Sequence, residues 1–124
     1  IGYRVCASAG YLQGVDATDL VSLTWIAPDD FLPDHPTVAW RRQAMPGVMP
    51  AYRCNSMLSV TELVRAGLGV AALPDFLIGD GLQPLGEPLH GYDTALWLLT
   101  RPDCRALRSV VTLFNELGRA LKLP

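Results

Sequence analysis

Residues 52–74, YRCNSMLSVTELVRAGLGVAALP, hold the pattern that decides the fold. A helix is expected to begin after Asn55 or Ser56, because these side chains accept hydrogen bonds from the free N–H groups of a first helical turn. Gly67 suits the position just past the helix end, where a positive φ is needed. The apolar run at 70–73, stopped by a proline, is typical of a buried parallel strand. The stretch therefore predicts a strand–helix–strand unit.

The segments around this unit extend the alternation of strands and helices. Residues 3–6, 23–26, 37–41 and 94–100 are each predicted to be a short strand, with Val38 and Trp40 on one face of the third. The last part of the chain predicts a long helix after Pro102 and Asp103, ending near Leu121. Its apolar stripe has a helical period and consists of Leu107, Val110, Val111, Phe114, Leu117 and Leu121. Strands that alternate with helices predict the α/β class.

Composition and charge narrow the functional classes. The 124 residues are 50% apolar and carry a formal net charge of −2, without the basic excess that nucleic-acid binding uses. The local basic cluster of Arg101, Arg105 and Arg108 is interpreted as a solvated helix start. No apolar run is long enough to span a bilayer, and no secretory leader is seen. Because the chain opens at Ile1 rather than Met, we expect an internal piece of a longer protein. Separately, we expect that protein to be cytoplasmic.

Candidate catalytic and metal-binding residues are sparse. His35 and His90 lie beside prolines and are interpreted as surface loop residues, and the adjacent pair Asp29–Asp30 is interpreted as a solvated loop. The three cysteines are widely spaced and lack a zinc-binding pattern, which favours free thiols in a reducing compartment. We therefore expect a binding domain with no catalytic residues, no metal and no cofactor, and a small α/β enzyme is disfavoured.

Several segments, in order along the chain, resemble one known family. Residues 66–74, AGLGVAALP, look like the "aGlGia.LP" segment of LysR-type transcriptional regulators. Residues 5–12, VCASAGYL, resemble the family's "v.ASp.YL" crossover, and residues 19–20 its following "dL". Residues 96–99 and the final helix resemble the family's return strand and "f..fl" ending. Ala9 departs from the pattern, because the family usually has proline there. The resemblance is to the C-terminal part of the effector-binding domain and covers essentially the whole chain.

That resemblance implies an α/β fold like that of periplasmic binding proteins, a Rossmann-type lobe with crossover strands and a truncated first lobe. Residues 1–8 would be the crossover strand from the first lobe and residues 9–93 the second lobe. Residues 94–124 would be the return strand and C-terminal helix of the first lobe. The rest of that lobe and the winged helix-turn-helix would precede Ile1, so DNA would be a partner only through that missing N-terminal domain.

The resemblance also implies a function. A small effector would bind in the cleft between the lobes and shift the population of lobe orientations, which alters how the subunits present their DNA-binding ends. The parent protein would be a dimer or tetramer, and no membrane partner is expected. The apolar stripe of the last helix predicts self-association of this chain. The alternative is a periplasmic-type solute-binding protein for transport, which has the same fold.

Three groups of residues are candidates for contact with the effector. Asn55, Ser56 and Met57 open the predicted helix, whose N-terminus suits a carboxylate because of its free N–H groups and dipole. The alternative for Asn55 and Ser56 is that they only cap the helix. The second group, Ser8 and Ala9, lies at the crossover. The third group, which could wall the cleft, is Gly69, Val70 and Leu73, although residues such as Val70 and Leu73 more often belong to the core. Trp25 and Trp40 are interpreted as core residues rather than stacking partners.

Overall fold

The computed structural model describes residues 1–122, in which strands and helices alternate along much of the chain. The strands are β1 (Tyr3–Ala7), β2 (Ile26–Pro28), β3 (Tyr52–Cys54), β4 (Ala71–Pro74) and β5 (Gln83–Pro84), and the helices are α1 (Ala9–Leu12), α2 (Pro36–Ala44), α3 (Met57–Arg65) and α4 (Arg108–Ala120). Short 3₁₀ turns cover Leu20–Ser22, Asp75–Leu77 and Pro102–Cys104. The predicted strand at residues 3–6 is confirmed, and so is the strand predicted to end at residues 52–54. The α/β class is confirmed too.

The strands form a three-stranded sheet in the order β4-β1-β5 and a two-stranded sheet of β2 and β3, and their directions determine which loops share an edge. β1 pairs antiparallel with both β4 and β5, and β2 pairs parallel with β3. A parallel bridge between Trp25 and Val70 joins these two groups, with the N–H of Ile26 donating to the Val70 carbonyl at 2.9 Å. β2, β3 and β4 therefore run in one direction, and β1 runs against them.

α3 forms where the sequence predicts it, with both ends closed by hydrogen bonds. Ser56 is the N-cap, and its Oγ accepts from the Ser59 N–H at 3.1 Å. At the other end Gly67 adopts φ +85°, and its N–H donates to the Val64 carbonyl at 3.0 Å. The Leu68 N–H reaches the Leu63 carbonyl at 3.2 Å, which completes a Schellman motif. The predicted roles of Ser56 and Gly67 are confirmed.

Alternate residues of the strands point into two separate hydrophobic clusters, one on each face of the sheet. Tyr3, Val5 and Ala7 of β1 belong to the first cluster, whereas Cys6 belongs to the second. The second cluster is covered by α3 through Val60 and Val64, both fully buried. This period-two burial is what a strand covered on both faces requires.

The prediction of a strand at residues 37–41 is wrong, because these residues belong to α2. Pro36 occupies the first turn, where its missing N–H is harmless, and the His35 ring nitrogen Nδ1 accepts from the Thr37 N–H at 3.3 Å. The helix then continues through arginine, glutamine and alanine, which are good helix formers. Val38 is buried and Trp40 is half-buried on this helix. His35 is half-buried too, so its interpretation as a surface loop residue is also corrected.

The prediction of a strand at residues 94–100 is wrong as well. The Thr94 N–H donates to the Ile1 carbonyl at 2.9 Å, but no further backbone bond ties residues 95–100 to the rest of the described chain. A strand needs a hydrogen-bonded neighbour, and residues 1–122 place none beside this segment. The apolar side chains of Leu96, Trp97 and Leu99 are consequently exposed, at 59%, 76% and 81%.

α4 confirms the predicted final helix but packs loosely. None of its residues, all of which are described, is buried. Val110 and Phe114 line one shallow pocket together with residues 98–100, and Leu107 and Val111 are 52% and 43% exposed. The amphipathic stripe is therefore present without a cover in this part of the chain. The last two residues of the expected 94–124 division, Leu123 and Pro124, lie outside the described residues.

Candidate functional site

A concave pocket of about 750 Å³ opens where β2 and β3 end. Its lining comes from the end of β3, from residues that follow β2 and β3, and from the first two turns of α3: Asp29, Phe31, Arg53, Cys54, Asn55, Leu58, Ser59, Glu62 and Leu63. Crevices beyond the carboxyl ends of parallel strands are where open α/β sheets bind ligands. The pocket is therefore the candidate site.

The α3 N-terminus supplies the predicted site residues, but only one of the three lines this pocket. Asn55 is exposed and contributes to the wall. Ser56 is occupied by capping, since its Oγ also donates to the Ser59 Oγ at 3.0 Å. Met57 packs against the second hydrophobic cluster. The structure therefore separates the two interpretations of this junction, with Ser56 capping the helix and Asn55 facing the pocket.

Ser8 and Ala9 lie at the opposite edge of the sheet from this pocket. Because β1 is antiparallel to β4, its carboxyl end lies beside the amino end of β4, with Cys6 opposite Ala71. Ser8 caps α1, its Oγ accepting from the Tyr11 N–H at 3.2 Å, and it is 7% exposed. Its Oγ would lie 3.5 Å from a Cβ at Gly67, at the far end of α3. The length of α3, nine residues or about 13 Å, therefore separates Ser8 and Ala9 from the residues at the start of this helix.

The third predicted group belongs to the core rather than to the pocket. Val70 is fully buried, as is Leu73, and both contribute to hydrophobic clusters. Gly69 is buried because the chain passes so close to β2 that an added Cβ would lie 2.3 Å from the Thr24 carbonyl oxygen. Close backbone approach explains this glycine, and none of the three lines the pocket.

The two tryptophans are core residues, as the sequence predicts. Trp25 is 2% exposed and its Nε1–H donates to the Leu20 carbonyl at 2.8 Å. Its ring centroid lies 5.8 Å from that of Trp40 in a tilted arrangement. Such pairs stabilise a core beyond their area burial, and neither ring lines the candidate site.

Charged residues at the site were missed by the sequence analysis. Asp29 and Arg53 face the pocket from the two strand ends, and Glu62 faces it from α3. The pKa of the Cys54 thiol is raised, first by burial and then by the nearby Asp29 carboxylate. Strand position could have indicated Arg53, which directly precedes the predicted strand end, but Asp29 was assigned to a solvated loop.

The start of β1 and the segment at Thr94 meet at the sheet edge where the pocket lies. Besides the backbone bond between Thr94 and Ile1, the Tyr3 hydroxyl and the Thr94 Oγ1 lie 2.9 Å apart. Tyr3 pairs with Pro74, the carboxyl end of β4. The His35 ring packs edge-on against Tyr3 at 5.7 Å, and burial lowers the pKa of this histidine. Neutral histidine suits its role as an acceptor for the Thr37 N–H.

Comparison with protein families gives the chain its classification. Residues 2–122 match the model of the LysR substrate binding domain. The chain belongs to this family. Its fold is therefore that of a periplasmic-binding-protein-like α/β domain, and the combination of helices with parallel and antiparallel strands agrees with it. The resemblance inferred from residues 66–74 and 5–12 is confirmed. No curated protein matches the sequence significantly.

Membership of the LysR substrate-binding domain family favours effector sensing in a regulator over transport. Within residues 1–122, no helix is both long and apolar enough to cross a membrane. In the same residues no group of three or more His, Cys, Asp or Glu side chains is arranged to hold a metal ion.

Proposed function

We propose that this chain senses a small metabolite for a LysR-type transcriptional regulator, with the pocket at the ends of β2 and β3 as the binding site. The observation that carries the proposal is the position of this pocket. It opens at the carboxyl edge of the parallel strands in a LysR substrate-binding domain. The Ile1–Thr94 contact lies at the same edge, so a ligand there would sit near both connecting segments. The proposed role is binding, not catalysis.

A carboxylate-bearing ligand suits the chemistry of this edge. α3 presents its N-terminus here, and the N–H groups and dipole of a first helical turn favour negative charge. Asn55 adds an amide and Arg53 a fixed positive charge. Leu58 and Phe31, 64% and 83% exposed, offer apolar contact for the ligand body. We place Asn55 in direct contact and assign Ser56 and Met57 to support of the helix start.

Signalling would follow from the position of the two connecting segments. In this proposal residues 1–8 enter from a first lobe, residues 9–93 form the second lobe, and the segment from 94 onward returns to the first. A ligand that bridges both lobes favours one relative orientation by its differential affinity for the two states. The DNA-binding domain would then respond in the cytoplasm, through an N-terminal part of the parent protein.

A ligand screen with a blocking variant tests the binding site. We would screen small organic acids and neutral analogues for thermal stabilisation of the chain, and then repeat each positive with Leu58→Trp. Because Leu58 is 64% exposed on the pocket wall, the larger ring fills space without disturbing the core. Leu113→Trp, at 55% exposure on α4, is the matched control. We expect stabilisation to be lost in Leu58→Trp and kept in Leu113→Trp, and equal loss in both would reject this pocket.

Oligomerisation is proposed from the uncovered apolar surface. Leu107, Val111 and Leu121 of the α4 stripe are 52%, 43% and 52% exposed, next to the exposed segment 96–99. Contiguous apolar patches larger than a few hundred Å² usually mark interaction sites. We propose that the isolated chain self-associates through this surface, and that dimers or tetramers form in the parent regulator.

A further inference from the structure

Two adjacent arginines of α2 and one arginine of β3 converge beside the loop that follows β2. Arg41 and Arg42 belong to the last turn of α2, and Arg53 is the central residue of β3. Together with the loop that follows β2 they line a recess of about 30 Å³, whose other residues are Pro28, Asp29, Asp30, Leu32, Pro33 and Val38. The fold thus builds a cationic cluster that no run of basic residues in the sequence reveals.

The positive charges of this cluster lack a close counter-charge from the described chain. The four ion pairs within residues 1–122 engage Arg4, Arg65, Arg101 and Arg119, so no described carboxylate oxygen lies within 4.0 Å of Arg41, Arg42 or Arg53. Burial, followed by the charges of Arg42 and Arg53, lowers the pKa of Arg41. The three guanidinium groups therefore repel one another.

The two aspartates of the recess compensate this charge incompletely. The Asp29 carboxylate is committed to its own loop, because its Oδ1 accepts from the Phe31 N–H at 2.9 Å. Asp30 is exposed. A half-buried guanidinium such as that of Arg41 has five N–H donors and no acceptor capacity, so it suits an anion with two oxygens.

The recess adjoins the proposed effector pocket. Asp29 and Arg53 line both concavities, so Arg53 stands at the boundary between them. With about 30 Å³ the recess holds one or two water-sized atoms. It can receive the end of a ligand whose body occupies the larger pocket.

We infer that Arg41 and Arg53 form a carboxylate-binding subsite, which receives one acidic end of the organic acid bound in the larger pocket. This inference rests on the proposed function and adds the residues that recognise the ligand's charge. Arginine suits this task because its planar fork matches both carboxylate oxygens. Arg42, more exposed, contributes its positive charge to the field at the recess.

The subsite is tested by following arginine side-chain N–H resonances by NMR while the chain is titrated with succinate. Succinamide, the neutral isostere, is titrated in parallel, and sodium chloride holds the ionic strength constant because screening alone alters surface electrostatics. We expect saturable shifts of the Arg41 and Arg53 Nε–H signals with succinate and not with succinamide. Arg105 and Arg108 form no ion pair within the described residues and serve as internal controls.

Two substitutions separate this subsite from general charge effects. Arg53→Gln is expected to weaken succinate binding about tenfold, as loss of a charge-assisted hydrogen-bonded pair predicts. Arg105→Gln should leave it unchanged. The inference would be overturned by equal shifts with succinamide, by shifts that do not saturate, or by an equal response of Arg105. These measurements use the unsubstituted chain, so they do not depend on the folding of a variant.

The outcome also distinguishes failure of the subsite from failure of the proposed function. If Arg53 responds saturably to succinate but the screen finds no metabolite whose binding Leu58→Trp blocks, the subsite is retained and the larger pocket is rejected. Conversely, if the screen finds a neutral ligand whose binding is blocked by Leu58→Trp and is not weakened by Arg53→Gln, the pocket is retained and the carboxylate subsite is rejected.

Discussion

Replacing Gly69 with alanine is expected to destabilise the domain more than any other single methyl addition to its glycines. The new Cβ would lie 2.3 Å from the Thr24 carbonyl oxygen and 3.3 Å from the Ile26 Cγ1. Neither neighbour can move freely, because the Val70 N–H donates to the Thr24 carbonyl at 2.8 Å and the Ile26 side chain is buried. Relief of the clash must separate β2 from β4 at the bridge that joins the two parts of the sheet.

The magnitude follows from these contacts. Overpacking costs about 1–3 kcal/mol, and one or two weakened backbone hydrogen bonds add about 1 kcal/mol each, so we expect a loss of roughly 2–5 kcal/mol. A domain of ordinary stability, about 5–15 kcal/mol, would lose a large fraction of its free energy of unfolding. Urea unfolding, followed by far-UV circular dichroism and by the fluorescence of the buried Trp25, measures this loss.

Two other glycines provide matched controls. Gly67→Ala places a Cβ no closer than 3.5 Å to Ser8 Oγ, but its φ of +85° costs an L-residue about 1–2 kcal/mol. Gly118→Ala, in α4 with nothing within 4 Å, is expected to stabilise by about 1 kcal/mol. A Gly69→Ala variant no less stable than Gly67→Ala would refute the assignment of Gly69 to close backbone approach.

Two further predictions address the uncovered surface and the buried thiol. Light scattering at high concentration is expected to give a mass above that of the monomer. Leu99→Glu should restore the monomer, whereas the control Leu58→Glu, on another face, should not. A monomeric unsubstituted chain would contradict this prediction. Burial, reinforced by the Asp75 carboxylate, raises the pKa of Cys6 from 9.0 to about 12, so the folded state keeps a proton that the unfolded state releases. Stability contributed by Cys6 is therefore present below pH 9 and is lost as the pH rises towards 12. Urea unfolding should show that the free energy of unfolding falls less between pH 8 and pH 10.5 in Cys6→Ala than in the unsubstituted chain. An identical fall in both would exclude Cys6 as the cause.

The strand–helix–strand unit was predictable because its signals are local. Capping by Ser56 and the positive φ at Gly67 depend on residues within one or two turns of α3, and both occur as expected. The run at 70–73 is a short apolar stretch stopped by Pro74, and every residue of β4 is buried. Where neighbouring residues determine the conformation, the sequence was sufficient.

The two wrong strand assignments have different physical origins. At 37–41 a five-residue window showed alternation, but the helix signals lay outside it, in Pro36 at the first turn and in the helix formers up to Ala44. At 94–100 the composition favours a strand, and yet a strand exists only through a partner. The first error could be corrected by a longer window, whereas the second depends on pairing that residues 1–122 do not provide.

The site shows why the position of a residue in a motif does not determine which side chains meet. Ser8 and Asn55 both follow strands, and the sequence placed both near the effector. Strand direction separates them, because β1 runs against β2, β3 and β4 and brings Ser8 to the opposite edge. The same long-range packing gathers Arg41 and Arg53, twelve positions apart, around one recess. Sequence motifs thus identified the α3 N-terminus, while the charges expected to select its ligand arise from how α2 and β3 pack on β2.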